Sequence, residues 1–154
     1  MQATQTNACR ALRRSTSPKL AAIIQPAKEA AAGLKRRIGR FDAYEFLGAI
    51  YRIYIDWKRR KIAKRSAQTL ADEMNIVRRK GMSPIRVLIE ATLPSADFKQ
   101  KSRWVRALEY VYSENVSPSR FRKFVRSRGG VAGCARFVVN INRKRRRPGG
   151  DWND

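Results

Sequence analysis

The sequence predicts an all-α protein: a compact bundle of six or seven helices, with a helix-turn-helix-like pair near the C-terminus and flexible basic ends. Three observations predict it. Apolar residues recur at intervals of three and four, the spacing of one helical face. Helix-starting signals, Ser or Asp before a helix former or Pro at a first position, stand ahead of these stretches. No strand-length alternation and no internal repeat is present. At 154 residues and 43% hydrophobic content the chain has material for one domain around one core. The expected organisation is a flexible basic arm over residues 1–25, a single all-α domain over 26–141, and a disordered Arg-rich tail over 142–154.

Residues 1–25, punctuated by Pro18 and Pro26, read as unstructured. Their composition, with Arg, Ser and Thr but no acid before Glu29, also overlaps with that of a mitochondrial transit peptide. A first helix is expected from Pro26, a tolerated first position, to a stop at Gly39. The next is capped by Asp42 and carries Ala43, Phe46, Leu47, Ile50, Tyr54 and Trp57 on one face. Tyr44, Tyr51 and Ile55 widen that face until little of the circumference is polar, so this is the buried central helix and its aromatics are core. The basic end, KRRKIAKR, complements the helix macrodipole.

SAQTLADEMNIV reads as a short helix with Ser66 as cap and Leu70, Met74 and Val77 inward. Its Ala71 and Asn75 are also what the first helix and turn of a DNA-reading pair use, Asn75 because it tolerates left-handed backbone. The next helix start, Ser83-Pro84, stands too far along for such a turn, which favours an ordinary connecting helix. From Ser83, Ile85, Leu88 and Ile89 face inward and Pro94 closes the helix. Ser95 begins another, to about Glu114, with Phe98, Val105, Leu108 and Tyr112 inward and Trp104 in the core. The last pair covers 118–128 and 131–141. Ser117 caps it, Pro118 takes the first position, and Phe121, Phe124 and Val125 form the inner stripe. Gly129 or Gly130 supplies the positive-φ residue that ends the first helix. Val131, Ala132, Gly133, Cys134 and Ala135 then permit close approach to another helix, or to a phosphate.

Charge points to function. Thirty-five Lys and Arg against 12 Asp and Glu give a net charge of +23, which implies a polyanionic partner. Residues 66–115 are nearly neutral, between a block over 35–65 with eleven basic residues against Asp42, Glu45 and Asp56 and one over 116–150 with eleven basic residues and no acid. Three groups of cations are the candidate nucleic-acid contacts. The first is Arg120, Arg122, Lys123, Arg126, Arg128 and Arg136 of the C-terminal pair. The second is Lys99, Arg103 and Arg106, which share one helix face by their i, i+4, i+7 spacing. The third is Arg143, Lys144, Arg145, Arg146 and Arg147 of the tail, an arm for a groove or a row of phosphates.

Catalysis and cofactors are not expected. There is no histidine, no phosphate-binding Gly loop and no paired-carboxylate spacing, and Cys9 and Cys134 have no CxxC companion, so neither a metal site nor a disulfide is implied. No apolar run reaches the length of a membrane span. The favoured expectation is a cytoplasmic DNA-binding protein, regulatory (transcriptional) or architectural, from a bacterium or mobile element, nucleoid-associated in a bacterium. Double-stranded DNA is the expected partner, and a homodimer is compatible with it. Two alternatives stand beside it. One is an RNA-binding protein, ribosome-associated or an RNA chaperone. The other is an adaptor whose basic surface meets an acidic protein, with helix 42–57 as its self-association face.

Overall fold

The computed structural model describes residues 17–36 and 40–146, and every regular element among them is helical. Seven α-helices follow in order: α1 (Pro18–Arg36), α2 (Arg40–Arg59), α3 (Ala63–Glu73), α4 (Pro84–Thr92), α5 (Phe98–Ser113), α6 (Phe121–Ser127) and α7 (Gly130–Arg146). A 3-10 turn over Pro118–Arg120 leads straight into α6. The all-α expectation holds.

The first correction concerns α1. It begins at Pro18, so residues 18–25 belong to the fold rather than to an arm. Ser17-Pro18 is the same signal as Ser83-Pro84, and Leu20, Ile24, Ala27 and Ala31 form a buried face along the helix. Pro26 is therefore inside α1. Pro26 and Ala22 are both exposed, so the Ala22 carbonyl that loses its N–H partner is on the side open to solvent. The helix start is tied down by Glu73 of α3, whose Oε2 accepts from the Ser17 backbone N–H at 2.9 Å. Residues 1–16 lie outside the described residues.

Other boundaries shift for local reasons. Helix α2 starts at Arg40, so Asp42 is within its first turn and not its cap. Helix α3 starts at Ala63, placing Ser66 inside it. Asp97, not Ser95, caps α5, accepting from the N–H groups of Lys99 (3.0 Å) and Gln100 (3.4 Å). Ser83 and Ser117 do occupy the N-cap positions ahead of Pro84 and Pro118, with extended backbone but no capping bond from the hydroxyl.

Three helices end by one device. Lys61, Asn75 and Asn115 each take a left-handed φ, and the next N–H reaches back five residues: Ile62 to Trp57, Ile76 to Ala71, Val116 to Val111. This is the Schellman motif with an apolar residue after the turn. Asn75 thus adopts the conformation its sequence position called for. Because the turn ends α3 at Glu73, Val77 falls beyond the helix and is 87% exposed, not inward. Phe98, likewise expected inward, is 64% exposed. The long segment from Ile76 to Ser83 confirms that α3 and α4 are not joined by a tight turn.

The core runs through all seven helices. Helix α2 is central, with Phe46, Leu47, Ile50, Tyr51 and Trp57 fully buried, so these aromatics are core. Trp104 of α5 packs on Phe46 at 5.5 Å between ring centroids and is core as expected. Helices α4 and α5 are joined by a charge cluster that the periodicity gave no hint of. Lys101 is buried, and its Nζ donates to Glu90 Oε2 (2.5 Å) and to the Pro94 carbonyl (2.7 Å). Arg86 holds the other oxygen of Glu90 at 2.9 Å.

Candidate nucleic-acid interface

Helix α6 is short and is positioned by its apolar side. Phe121 stacks on Tyr51 of α2 at 5.3 Å and lies against Gly48, where a Cβ would sit 3.5 Å from its ring. Tyr51 in turn donates from its hydroxyl to the Val116 carbonyl at 2.7 Å, fixing the turn that delivers the chain into α6. Burial, reinforced by the neighbouring Tyr112 and Tyr54, pushes the Tyr51 phenol up to about 12, so this donor keeps its proton. Val125 is buried beside Phe121. At 100° per residue, Phe121 and Val125 define one side of α6, and Arg120, Arg122, Lys123 and Arg126 cover the opposite arc. All four are exposed.

Gly129 and Gly130 both take φ of +78°, so both supply the left-handed turn expected of one or the other. The chain then enters α7, whose small residues are used for packing. A Cβ on Gly133 would lie 1.9 Å from the Arg128 carbonyl oxygen, and one on Gly130 would lie 3.1 Å from the Tyr44 hydroxyl. The start of α7 is therefore occupied by α6 backbone and α2. Of the two uses open to that small run, close approach to another helix is the one found. Cys134 and Ala135 are buried in the same contact. Burial drives the Cys134 thiol up to about 11 against the opposing pull of Arg128, which makes it a small apolar side chain at neutral pH and not a nucleophile.

Helix α7 runs back along α5, its most extensive neighbour, with Phe137 stacked on Tyr110 at 5.1 Å and nearly parallel to it. Phe124 of α6 joins the same cluster, 6.0 Å from Tyr110. Arg128 lies over Phe124 (5.3 Å) and Phe137 (5.5 Å) and reaches Glu114 at 3.8 Å. The structure thus gives Arg128 an internal role, at the joint of α5, α6 and α7, which its grouping with the other candidate contacts did not foresee.

On α5, Lys99, Arg103 and Arg106 are exposed along one face, with Arg106 Nε donating to the Ser102 carbonyl at 3.2 Å. Arg136 is exposed on α7. The α7 backbone continues to Arg146, so Arg143, Lys144, Arg145 and Arg146 extend a helix and not a separate tail. From Phe137 to Arg143 the helix advances about 9 Å, and from Tyr110 back to Arg103 about 10 Å, which brings the basic end of α7 level with the α5 row. Arg147 and residues 148–154 lie outside the described residues. Helix α3, with the Ala71 and Asn75 of the other possible DNA-reading pair, joins neither group; it packs against α4. Sequence reasoning passed over Arg78, Arg79 and Lys80, exposed on the segment between α3 and α4. Their signal was a run of three cations between two helices.

Among the described residues no group of three or more His, Cys, Asp or Glu side chains is placed to hold a metal ion, and no helix is long and apolar enough to cross a membrane. What fold and site define is an all-α protein with exposed cations on α5, on α6 and at Arg136 of α7. No protein-family model, curated protein or solved structure matches the chain.

Proposed function

We propose that the protein binds double-stranded DNA, largely through phosphates, with α6, the α5 row and the basic end of α7 as its contact surface. The observation that carries this reading is the outer arc of α6. Arg120, Arg122, Lys123 and Arg126 are exposed there, on a helix held rigidly by Phe121 and Val125, in a stretch of chain with no acid from residue 116 to 150. Cations fixed to a rigid support neutralise phosphates and release their condensed counterions. An architectural role fits better than sequence-specific regulation. The start of α7, where a recognition helix carries its base-reading side chains, is packed against α6 and α2, and Arg136 is the long polar side chain exposed there.

Binding to a 30-base-pair duplex and to an RNA of the same length, over a salt series, tests the reading. If roughly six to eight phosphates are neutralised, log K for DNA falls with log salt at a slope of roughly −5 to −7. Absence of DNA binding at near-physiological salt contradicts it, and a clear preference for RNA at matched salt transfers the surface to RNA.

A further inference from the structure

Val77 and Phe98 stand out as the most exposed large apolar side chains among the described residues, at 87% and 64%. They do not lie apart. Both line one cleft of about 560 Å³ between the 77–83 segment, α4 and α5, with Met82 and Val105 partly buried in its wall. A cleft of that volume takes a ligand of nucleotide size. Arg79, Lys80 and Arg106 line it too, as does one acid, Glu109, besides the Glu90 already held by Arg86 and Lys101.

The Phe98 ring is held in place. The Arg86 guanidinium lies 4.8 Å from its centroid and is itself fixed by Glu90 at 2.9 Å and by Ser102 at 3.2 Å. One part of the ring is thus backed by a pinned cation while the rest stays open to solvent. A rigid aromatic platform ringed by cations matches a ligand that is planar and apolar in one part and anionic in another. An unpaired nucleotide is such a ligand. Position strengthens the match: Arg106 belongs both to this cleft and to the α5 row with Lys99 and Arg103. A strand whose phosphates follow that row is carried to the mouth of the cleft.

We infer that this cleft takes an unpaired nucleotide of the bound DNA, its base on Phe98 and Val77 and its phosphate on Arg79, Lys80 or Arg106. The inference rests on the DNA-binding reading and adds to it a preference for gapped or locally opened duplex. The test compares an intact 30-base-pair duplex with one carrying a central three-nucleotide single-stranded gap, using the full-length protein, Phe98→Ala, Val77→Ser and Phe98→Trp. Wild type should bind the gapped duplex about tenfold more tightly, the worth of one stacked base. Phe98→Ala should abolish that preference, Val77→Ser reduce it, and Phe98→Trp retain it, all three binding intact duplex as wild type does. Both positions are exposed, so unchanged circular dichroism is expected of each variant. Equal affinity of wild type for the two duplexes overturns this inference and leaves DNA binding standing, whereas failure to bind either contradicts DNA binding itself. A dimer that Phe98→Ala converts to a monomer assigns the cleft to a second copy of the chain and overturns the inference as well.

Discussion

Arg86 and Lys101, on α4 and α5, stand beside Glu90 and are engaged by it, one of them deep enough to be buried. Arg120 and Lys123, at the start of α6 and on it, stand in a stretch, residues 116–150, that has no acid, and they face solvent. The same residue types hold the molecule together in one region and cover its outside in the other. What separates them is the local supply of carboxylates. In the near-neutral middle, Arg86 and Lys101 find a partner inside the fold, while Lys99 and Arg103 stay exposed. At α6, Arg120 and Lys123 are exposed, and Arg128 borrows Glu114 from the end of α5. Net charge therefore does not translate uniformly into exposed cationic surface.

That contrast can be broken at either end. The largest effect is expected from Phe121→Ala, which empties the contact that seats α6 on Tyr51 and Gly48. It should cost about 3–4 kcal/mol in urea denaturation, and weaken DNA binding even where the protein remains folded. Lys101→Met should cost roughly 2–3 kcal/mol, below the usual loss for breaking a buried pair because Arg86 still holds Glu90. Its DNA affinity should be that of wild type when measured well below the melting temperature. A large loss of affinity in Lys101→Met would erase the distinction between structural and binding cations.

Alkaline pH sharpens the account from the core side. Tyr51 and Tyr54 are raised by burial to about 12, and the Cys134 thiol to about 11 from an ordinary 9.0. In each case the folded state favours the protonated, neutral form. The stability these groups contribute is complete below their unfolded pKa values and is lost as pH rises through the folded ones. Urea midpoints should therefore fall between about pH 9 and 12, with tyrosinate absorbance from Tyr51 and Tyr54 lagging until unfolding. An ordinary tyrosine titration of the folded protein would contradict the burial of α2. The smallest effect is expected of Asp56→Asn. Its ion pair with Arg60 is exposed, and stability should change by no more than about 0.5 kcal/mol.

Much of this architecture was legible in the sequence. The periodicity of Phe46, Leu47, Ile50, Tyr54 and Trp57 identified the central helix because a helix apolar on most sides has nowhere to lie but inside. Ser83-Pro84, Ser117-Pro118 and the double glycine marked boundaries through backbone preferences that act locally. The errors came where a tertiary contact or a turn overrode the local pattern. Pro26 looked like a beginning, yet α1 passes through it because the cost of the missing N–H falls on the wet side of a helix whose other side is buried. Val77 continued the spacing of α3, but Asn75 had already turned the chain. Phe98 fitted the inward spacing of α5, yet beside it lies a cleft and not the core. For the candidate surface, the sequence located the α6 and α5 cations, since exposure follows from helical phase. It offered no means of separating Arg128 from them, because the aromatic cluster beneath that guanidinium joins three helices.

The measurement that tests the central claim most directly compares two variants of equal charge over a salt series on one 30-base-pair duplex. In the first, Arg120, Lys123 and Arg126 become Gln; in the second, Arg59, Lys64 and Arg65, exposed on and after α2, become Gln. The account predicts that the first variant loses affinity and that its salt slope flattens by roughly 2–3, while the second stays near wild type. Equal losses in both would mean that DNA reads only the total charge of +23, and would contradict a contact surface on α6.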